Sequence, residues 1–122
     1  MAAEATGRDA ALLLDMLLAA QDAVGFVAAI DEAAFLASRL HQNAVIRALE
    51  VLGEAAGKIS AAFRAAHPEI AWREMTAMRH RLIHGYAEVR LDLVWTVVRD
   101  HLPPLIAALA PMVPPDEGEG AP

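Results

Sequence analysis

Residues 38–60 read SRLHQNAVIRALEVLGEAAGKIS and contain the longest helical pattern of the chain. Ser38 is a typical N-cap residue, so we predict a helix from Arg39 to about Ile59. Apolar residues recur along it at the three- and four-residue spacing of a buried helix face. The predicted core positions are Leu40, Ala44, Leu49, Leu52, Ala56 and Ile59. A helix with such a face needs other helices to cover it, which predicts a helical bundle.

The rest of the chain supplies these other helices. They are predicted at about 8–28, 32–37, 61–66, 70–84 and from 92 onward, where Pro103 and Pro104 break or kink the last one and residues 105–110 continue it. Thr6 with Asp9 resembles a capping box, and Asp31 and Ser60 can cap two short helices. Gly85 is expected to stop its helix in the left-handed C′ conformation.

The predicted fold is an all-α, up-and-down helical bundle of four to five main helices over residues 1–113. The remaining residues, 114–122, read PPDEGEGAP and are predicted to form a disordered tail, because they are polar and rich in proline and glycine. Hydrophobic residues make up 57% of only 122. A bundle of this size cannot hide that much apolar surface within one copy, so we expect a homodimer.

The composition also limits the cellular location. The chain has no cysteine, which excludes a disulfide framework, and its N-terminus lacks the basic and apolar regions of a signal peptide. Asp15, Asp22, Arg47 and Asp100 interrupt the long apolar stretches, so we expect no membrane-spanning segment and a cytoplasmic protein.

The charge is unevenly distributed. The net charge of −6 alone argues against a nucleic-acid partner. Residues 64–90, however, hold five arginines and three glutamates, a balance of +2, which leaves −8 for the other residues. This basic segment can meet phosphate, although ordinary scatter of surface charge would give a similar pattern.

Two pairs of residues share a face of the 39–59 helix. Gly53 and Gly57 each cost about 1 kcal/mol relative to alanine in a helix interior. They indicate either close approach by another helix, within the chain or across a dimer, or simply tolerated glycines. Glu50 and Glu54 are spaced for acid–base or metal chemistry, but they also fit a solvated face.

Polar chemistry is concentrated in MRHRLIHGY, residues 78–86. His80 and His84 have the spacing of a helical zinc pair, but no third ligand is evident, and we predict no metal site and no cofactor. Arg79 and His84 lie about 140° apart around an ideal helix, so they converge only if the helix loosens near Gly85. Together an imidazole and an arginine could cleave RNA through its own 2′-hydroxyl, although a wet helix face is the alternative.

The region from Phe35 to Leu105 resembles the HepT-like family of the HEPN superfamily, the toxin half of the MntA–HepT toxin–antitoxin pair. The resemblance rests on Arg-x4-His-x-Tyr, here Arg79, His84 and Tyr86. It also rests on three flanking segments in the family's order: NAVIRALEVLGEAAGKIS (43–60), HPEIAWREM (67–75) and LVWTVVRDHLPPL (93–105). One departure is His80, because the family often has asparagine directly after the motif arginine.

The resemblance implies a homodimeric, metal-independent ribonuclease toxin. His84 would then move protons, Arg79 would stabilise the phosphate, and Tyr86 would contact RNA. His80 and Arg81 are further candidates for RNA binding. The resemblance also implies a partner, an MntA-like nucleotidyltransferase antitoxin that transfers AMP to Tyr86. The alternative is a non-catalytic helical dimer that binds a nucleotide or a partner.

Overall fold

A computed structural model of the chain describes residue 5, residues 7–85 and residues 88–115, and the regular structure within them is entirely helical. The helices are α1 (Gly7–Phe26), α2 (Glu32–Leu36), α3 (Arg39–Lys58), α4 (Ala61–Ala66), α5 (Trp72–His84), α6 (Leu91–Thr96) and α7 (Leu102–Leu109). A π-helical turn, Val97–His101, joins α6 to α7, and the 3-10 turn Ala110–Met112 follows. The predicted all-α bundle is confirmed. Of the predicted tail, residues 116–122 lie outside the described part.

Short-range capping sets three of the helix starts. The side chains of Asp31, Ser38 and Ser60 each accept a hydrogen bond from the backbone amide three residues later, at 2.9, 3.2 and 3.2 Å. Each bond satisfies one of the amides that a helix N-terminus leaves unpaired. These three predicted caps are confirmed.

Asp9 has a partner that the predicted capping box does not include. Its carboxylate accepts hydrogen bonds from the amide (2.9 Å) and the hydroxyl (2.6 Å) of Ser60, which ties the start of α1 to the start of α4. Thr6, the other half of the predicted box, lies outside the described residues.

The long helices run antiparallel to their neighbours. The contact between Asp9 and Ser60 brings the start of α1 to the end of α3, and the amide of Ala5 donates to the carbonyl of Met112 at 3.2 Å, beyond the end of α7. Gly53 of α3 lies against Arg79 of α5, and Gly57, one turn later in α3, lies against Thr76, which comes earlier in α5, so these two helices also run in opposite directions. α1 therefore lies between α3 and α7, and α3 lies between α1 and α5.

The core is formed where these helices meet. Its largest fully buried side chains are Phe35, Leu13, Met16, Leu49, Leu52, Ile59, Leu109, Val27, Val45 and Val98. Four of the six core positions predicted on α3 are buried, and Ala44 is half-buried. Leu40 is 76% exposed, so its prediction is wrong. It lies in the first turn of α3, near the level at which antiparallel α1 ends, and periodicity alone cannot reveal where a covering helix stops.

The last helix continues through its two prolines instead of breaking. The amide of Leu102 donates to the carbonyl of Val97, five residues earlier, in the π-helical turn directly before Pro103 and Pro104. Proline lacks an amide hydrogen and its ring clashes with the carbonyl four residues back. The wider turn accommodates both prolines, and α7 follows as predicted.

Leu91–Met112 is also long and apolar enough to cross a membrane, with 22 residues and a mean hydropathy of 1.2. The expectation that charges interrupt every such stretch is therefore wrong here. Only 22% of its most apolar window is buried. That buried face includes Val98, Leu102 and Leu109 and belongs to the core shared with α1, so we interpret the segment as the last helix of the bundle.

Candidate active site

The start of α5 is fixed by a buried aromatic cluster. Its N-cap residue, Ala71, offers no side-chain hydrogen bond. Instead, Trp72 is buried, and its indole Nε1 donates to the carbonyl of His67 at 2.9 Å. Its ring packs edge-on against Phe63, with the ring centroids 6.3 Å apart. Pro68 prevents α4 from running into α5. The helix that carries the motif is thus anchored by packing at its first residue.

His67 completes this anchor. It is 5% exposed, and its ring centroid lies 4.4 Å from that of Phe63. Its Nδ1 lies 3.1 Å from Oε2 of Glu69. The carboxylate of Glu69 accepts hydrogen bonds from its own backbone amide and from the ring of His67. These two bonds lower the pKa of Glu69 below its ordinary value. This link closes the turn between α4 and α5.

Gly85 ends α5, as predicted, but for another reason than the expected one. Its backbone has φ −122° and ψ 33°, so the expected left-handed conformation is wrong. Its amide donates to the carbonyl of Arg81 at 2.9 Å, and a Cβ there would lie 3.2 Å from that same oxygen. Glycine therefore suits this position because the carbonyl approaches closely.

The helix stays regular through His84, so it does not loosen within the motif. The end of the helix therefore does not bring Arg79 and His84 together within one chain, contrary to the expectation. The two positions remain about 140° apart around α5. Arg79 is half-buried and His84 is exposed. Tyr86, the third motif residue, lies outside the described residues.

Arg79 is held against α3 where the two helices approach closely at Gly53. A Cβ on Gly53 would lie 2.5 Å from Cβ of Arg79 and 2.7 Å from the carbonyl oxygen of Met75. The alternative of a tolerated glycine is therefore excluded at Gly53, where α5 approaches within the same chain. At Gly57 a Cβ would make only ordinary contacts with Thr76, at 3.7 and 3.9 Å.

The Arg79 side chain also has an unsatisfied donor. Its Nε is buried and has no hydrogen-bond partner among the described residues. Buried donors without a protein partner are rare, and many of them bind a water molecule, an ion or a ligand. The fold therefore buries part of the Arg79 guanidinium without pairing it to another described residue.

The other predicted site residues of α5 separate onto two surfaces. His80 is exposed beside His84, with ring centroids 4.5 Å apart, and it lines a groove between α4 and α5. Arg81 lies at a second groove, between α5 and the α6–α7 helix. Among the described residues, no group of three or more His, Asp or Glu side chains is placed to hold a metal ion. His80 and His84 alone would be too few ligands for a structural or catalytic zinc.

Glu50 and Glu54 do not form a joint site in the structure. Glu50 lies 3.6 Å from Arg47 and Glu54 lies 3.3 Å from Lys58, each pair on the surface of α3. Each carboxylate thus has its own cation, as expected of a solvated helix face.

The groove between α5 and the α6–α7 helix is mostly apolar. Its walls include Met78, Leu82, Leu93, Val97 and Leu105. Leu93 is 53% exposed, although it belongs to the apolar pattern of the last helix. The groove reaches Gly85 and therefore adjoins the end of the motif. It is an uncovered apolar surface next to the candidate site.

Sequence comparison assigns the chain to a family. The family model described as Ribonuclease HepT-like matches residues 16–112, which include Gly53, Arg79 and His84. The chain belongs to this family. The description of the family and the names of similar proteins agree with the resemblance of the motif region. Together they support ribonuclease activity in general.

Similar proteins carry names of the same kind. An inferred RNase of Methanocaldococcus jannaschii is 39% identical over 93 residues, which are 76% of this chain and 85% of that protein. A protein named probable ribonuclease HepT, from Thermococcus cleftensis, is 48% identical over 71 residues, or 58% of this chain and 64% of that protein. A second inferred RNase of M. jannaschii is 32% identical over 109 residues, which are 89% of this chain and 90% of that protein. No solved structure gives a significant match.

Proposed function

We propose that the chain is a metal-independent ribonuclease and the toxin of a toxin–antitoxin pair. The single observation that carries the proposal is the Arg79–His84 motif in a chain of the ribonuclease HepT-like family, in which His84 is exposed. The Nε of Arg79 has no hydrogen-bond partner among the described residues. The guanidinium of an arginine suits a phosphate oxygen, and an exposed imidazole can reach the substrate to move a proton.

The proposed reaction is transesterification. The 2′-oxygen of the RNA attacks the adjacent phosphorus, its proton goes to a general base, and the 5′-oxygen leaves with a proton from a general acid. The products are a 2′,3′-cyclic phosphate and a free 5′-hydroxyl. His84 serves as the base or the acid. Arg79 donates to the non-bridging oxygens, whose negative charge grows in the transition state.

We assign the large apolar groove to a second copy of the chain. Its aliphatic lining would be covered in a dimer, and it adjoins Gly85 at the end of the motif. A dimer docked there would bring two copies of α5 near each other. Arg79 of one copy could then act with His84 of the other, which supplies the convergence that the regular helix does not.

The test of the proposed activity is RNA cleavage by the full chain purified without any nucleotidyltransferase, in the presence of EDTA. We expect undiminished cleavage and products that end in a cyclic phosphate, because no step requires a metal. Cleavage that stops in EDTA and returns with added zinc would instead support a metal site at His80 and His84. A protein that binds RNA and never cuts it would favour the non-catalytic alternative.

Regulation is proposed to act at Tyr86, by AMP transfer from the nucleotidyltransferase antitoxin with release of pyrophosphate. The tyrosine oxygen would attack the α-phosphorus of ATP, and the resulting phosphodiester would bring a negative charge close to the motif in sequence. With ATP and antitoxin, the wild-type chain should gain the mass of AMP and lose cleavage activity. Tyr86→Phe, which lacks the acceptor oxygen, should gain none in intact-mass spectrometry. An unchanged adduct on Tyr86→Phe would refute this assignment.

A further inference from the structure

A groove of about 830 Å³, lined by both apolar and polar side chains, runs between α4 and α5. Its polar and charged lining comprises Arg64, Arg73, Glu74, Thr76 and His80. Arg64 and Arg73 belong to the basic segment of the sequence, but the motif does not include them. We call this surface the α4–α5 groove.

The α4–α5 groove leads to the candidate catalytic imidazole. Arg73, His80 and His84 are spaced by seven and four residues, which places all three within about 40° on one face of α5. His80 lines the end of the groove, and its ring centroid is 4.5 Å from that of His84. His84 therefore lies directly beside this end of the groove. From Arg73 to His84 the stripe extends about 16 Å along the helix, which is longer than one phosphate group.

The cations of this groove are not neutralised within the described chain. Neither Arg64 nor Arg73 has a carboxylate within ion-pair distance there, whereas Arg47, Lys58 and Arg90 each have one. The Nε of Arg64 is buried and has no hydrogen-bond partner in the same residues. The lining contains a single carboxylate, on Glu74, so the groove has a formal charge of +1 with neutral histidine.

We propose that the α4–α5 groove binds the phosphate backbone of the RNA strand on one side of the bond that is cleaved. This inference rests on the proposed ribonuclease function and extends it to Arg64 and Arg73. A groove with a net positive charge and a row of hydrogen-bonding side chains that ends at the catalytic imidazole fits a strand whose phosphates recur along its length. The guanidinium of Arg64, which lines the groove, would donate through its terminal nitrogens to one phosphate oxygen. Trp72 is buried beneath the groove, so the contacts are to phosphate rather than to stacked bases.

The test measures binding separately from cleavage. The probe is a fluorescent single-stranded RNA with 2′-O-methyl groups, which the proposed reaction cannot cleave, and its dissociation constant is measured by anisotropy at several salt concentrations. The full-length variants are Arg64→Gln, Arg73→Gln and the double variant. Arg39→Gln is the matched control, because Arg39 is an exposed arginine about 30 Å along α3 from the level of Arg73.

Each arginine removed should lower the slope of log affinity against log salt concentration by about 0.7, and the double variant by about twice as much. Affinity at low salt should fall several-fold, while Arg39→Gln matches the wild type. Glu74→Gln should bind more tightly, since it removes the only carboxylate of the groove. Circular dichroism melting curves check that every variant remains folded.

Some outcomes would overturn the inference. If the variants keep the wild-type slope while the wild type still cleaves RNA, the groove proposal fails and the ribonuclease proposal stands. If the wild type neither binds nor cleaves any RNA, both fail. If the double variant loses binding to the nucleotidyltransferase but keeps its RNA affinity and slope, the groove is a protein-docking surface instead.

Discussion

Alanine at position 84 should lower the rate of RNA cleavage by about 10²- to 10⁴-fold, the usual contribution of a general acid or base. The fold should survive, because His84 is exposed and lies in the last turn of α5. The measurement is the initial rate on a labelled RNA, together with a thermal melting curve. His41→Ala is a suitable control, since His41 lies in the first turn of α3, outside the motif. Near-wild-type cleavage by His84→Ala would remove His84 from the proposed mechanism.

Arg79→Ala should be equally inactive, and Arg79→Lys should restore little of the rate. Lysine keeps the charge and the aliphatic stem that lies against Gly53. It lacks the planar fork of donors that can bind two phosphate oxygens at once. Full activity of Arg79→Lys would mean that only charge is required.

Mixing the two inactive variants distinguishes a site within one chain from a site shared between two. In a mixed dimer with a shared site, the Arg79→Ala chain supplies His84 and the His84→Ala chain supplies Arg79, so one of its two sites is intact. Half of the dimers are mixed after random exchange, and about a quarter of wild-type activity should return. A site contained in one chain gives no recovery.

The same assay tests which surface forms the dimer. Leu93→Glu places a charge in the apolar groove and, introduced into both variants, should abolish the recovered activity and shift sedimentation to the monomer. Leu93 is 53% exposed, so the substitution disturbs the fold of one copy little. Leu40→Glu is the control at another exposed leucine, 76% exposed and outside the groove, and should leave recovery intact.

The sequence predicted well what depends on neighbouring residues. Asp31, Ser38 and Ser60 act as caps because each needs only an amide three residues away. Helical periodicity likewise predicted the bundle, since a repeating apolar face must be buried against something. The family resemblance predicted the ribonuclease family, which the match over residues 16–112 confirms.

The sequence could not predict what depends on the arrangement of helices. The exposure of Leu40 follows from where α1 ends, and the separation of His80 from Arg81 follows from which helices flank α5. The groove residues Arg64 and Arg73 come from different helices. The spacing of Arg73 and His80 was a usable signal for part of that surface, because seven residues make nearly two helical turns.

Gly53 is the position at which the packing of the fold most directly controls the site. In Gly53→Ala the new Cβ would meet Cβ of Arg79 at 2.5 Å and the Met75 carbonyl at 2.7 Å. Neither atom can rotate away, since one belongs to the backbone of α5 and the other is attached directly to it. α5 must therefore move away from α3. Overpacking of this kind costs about 1–3 kcal/mol, which over most of that range outweighs the gain of about 1 kcal/mol in helix propensity.

Gly57→Ala is the matched control four residues along the same helix. Its Cβ would make ordinary contacts with Thr76, so the helix-propensity gain of about 0.5–1 kcal/mol should appear as added stability. The two variants should therefore shift the free energy of unfolding in opposite directions, as measured by urea denaturation. They should also differ in function, because moving α5 displaces Arg79, and a misplacement of about 1 Å can cost about 10²-fold in rate. Gly57→Ala should cleave RNA like the wild type. If both alanine variants were more stable and fully active, the close contact at Gly53 would not be what positions Arg79.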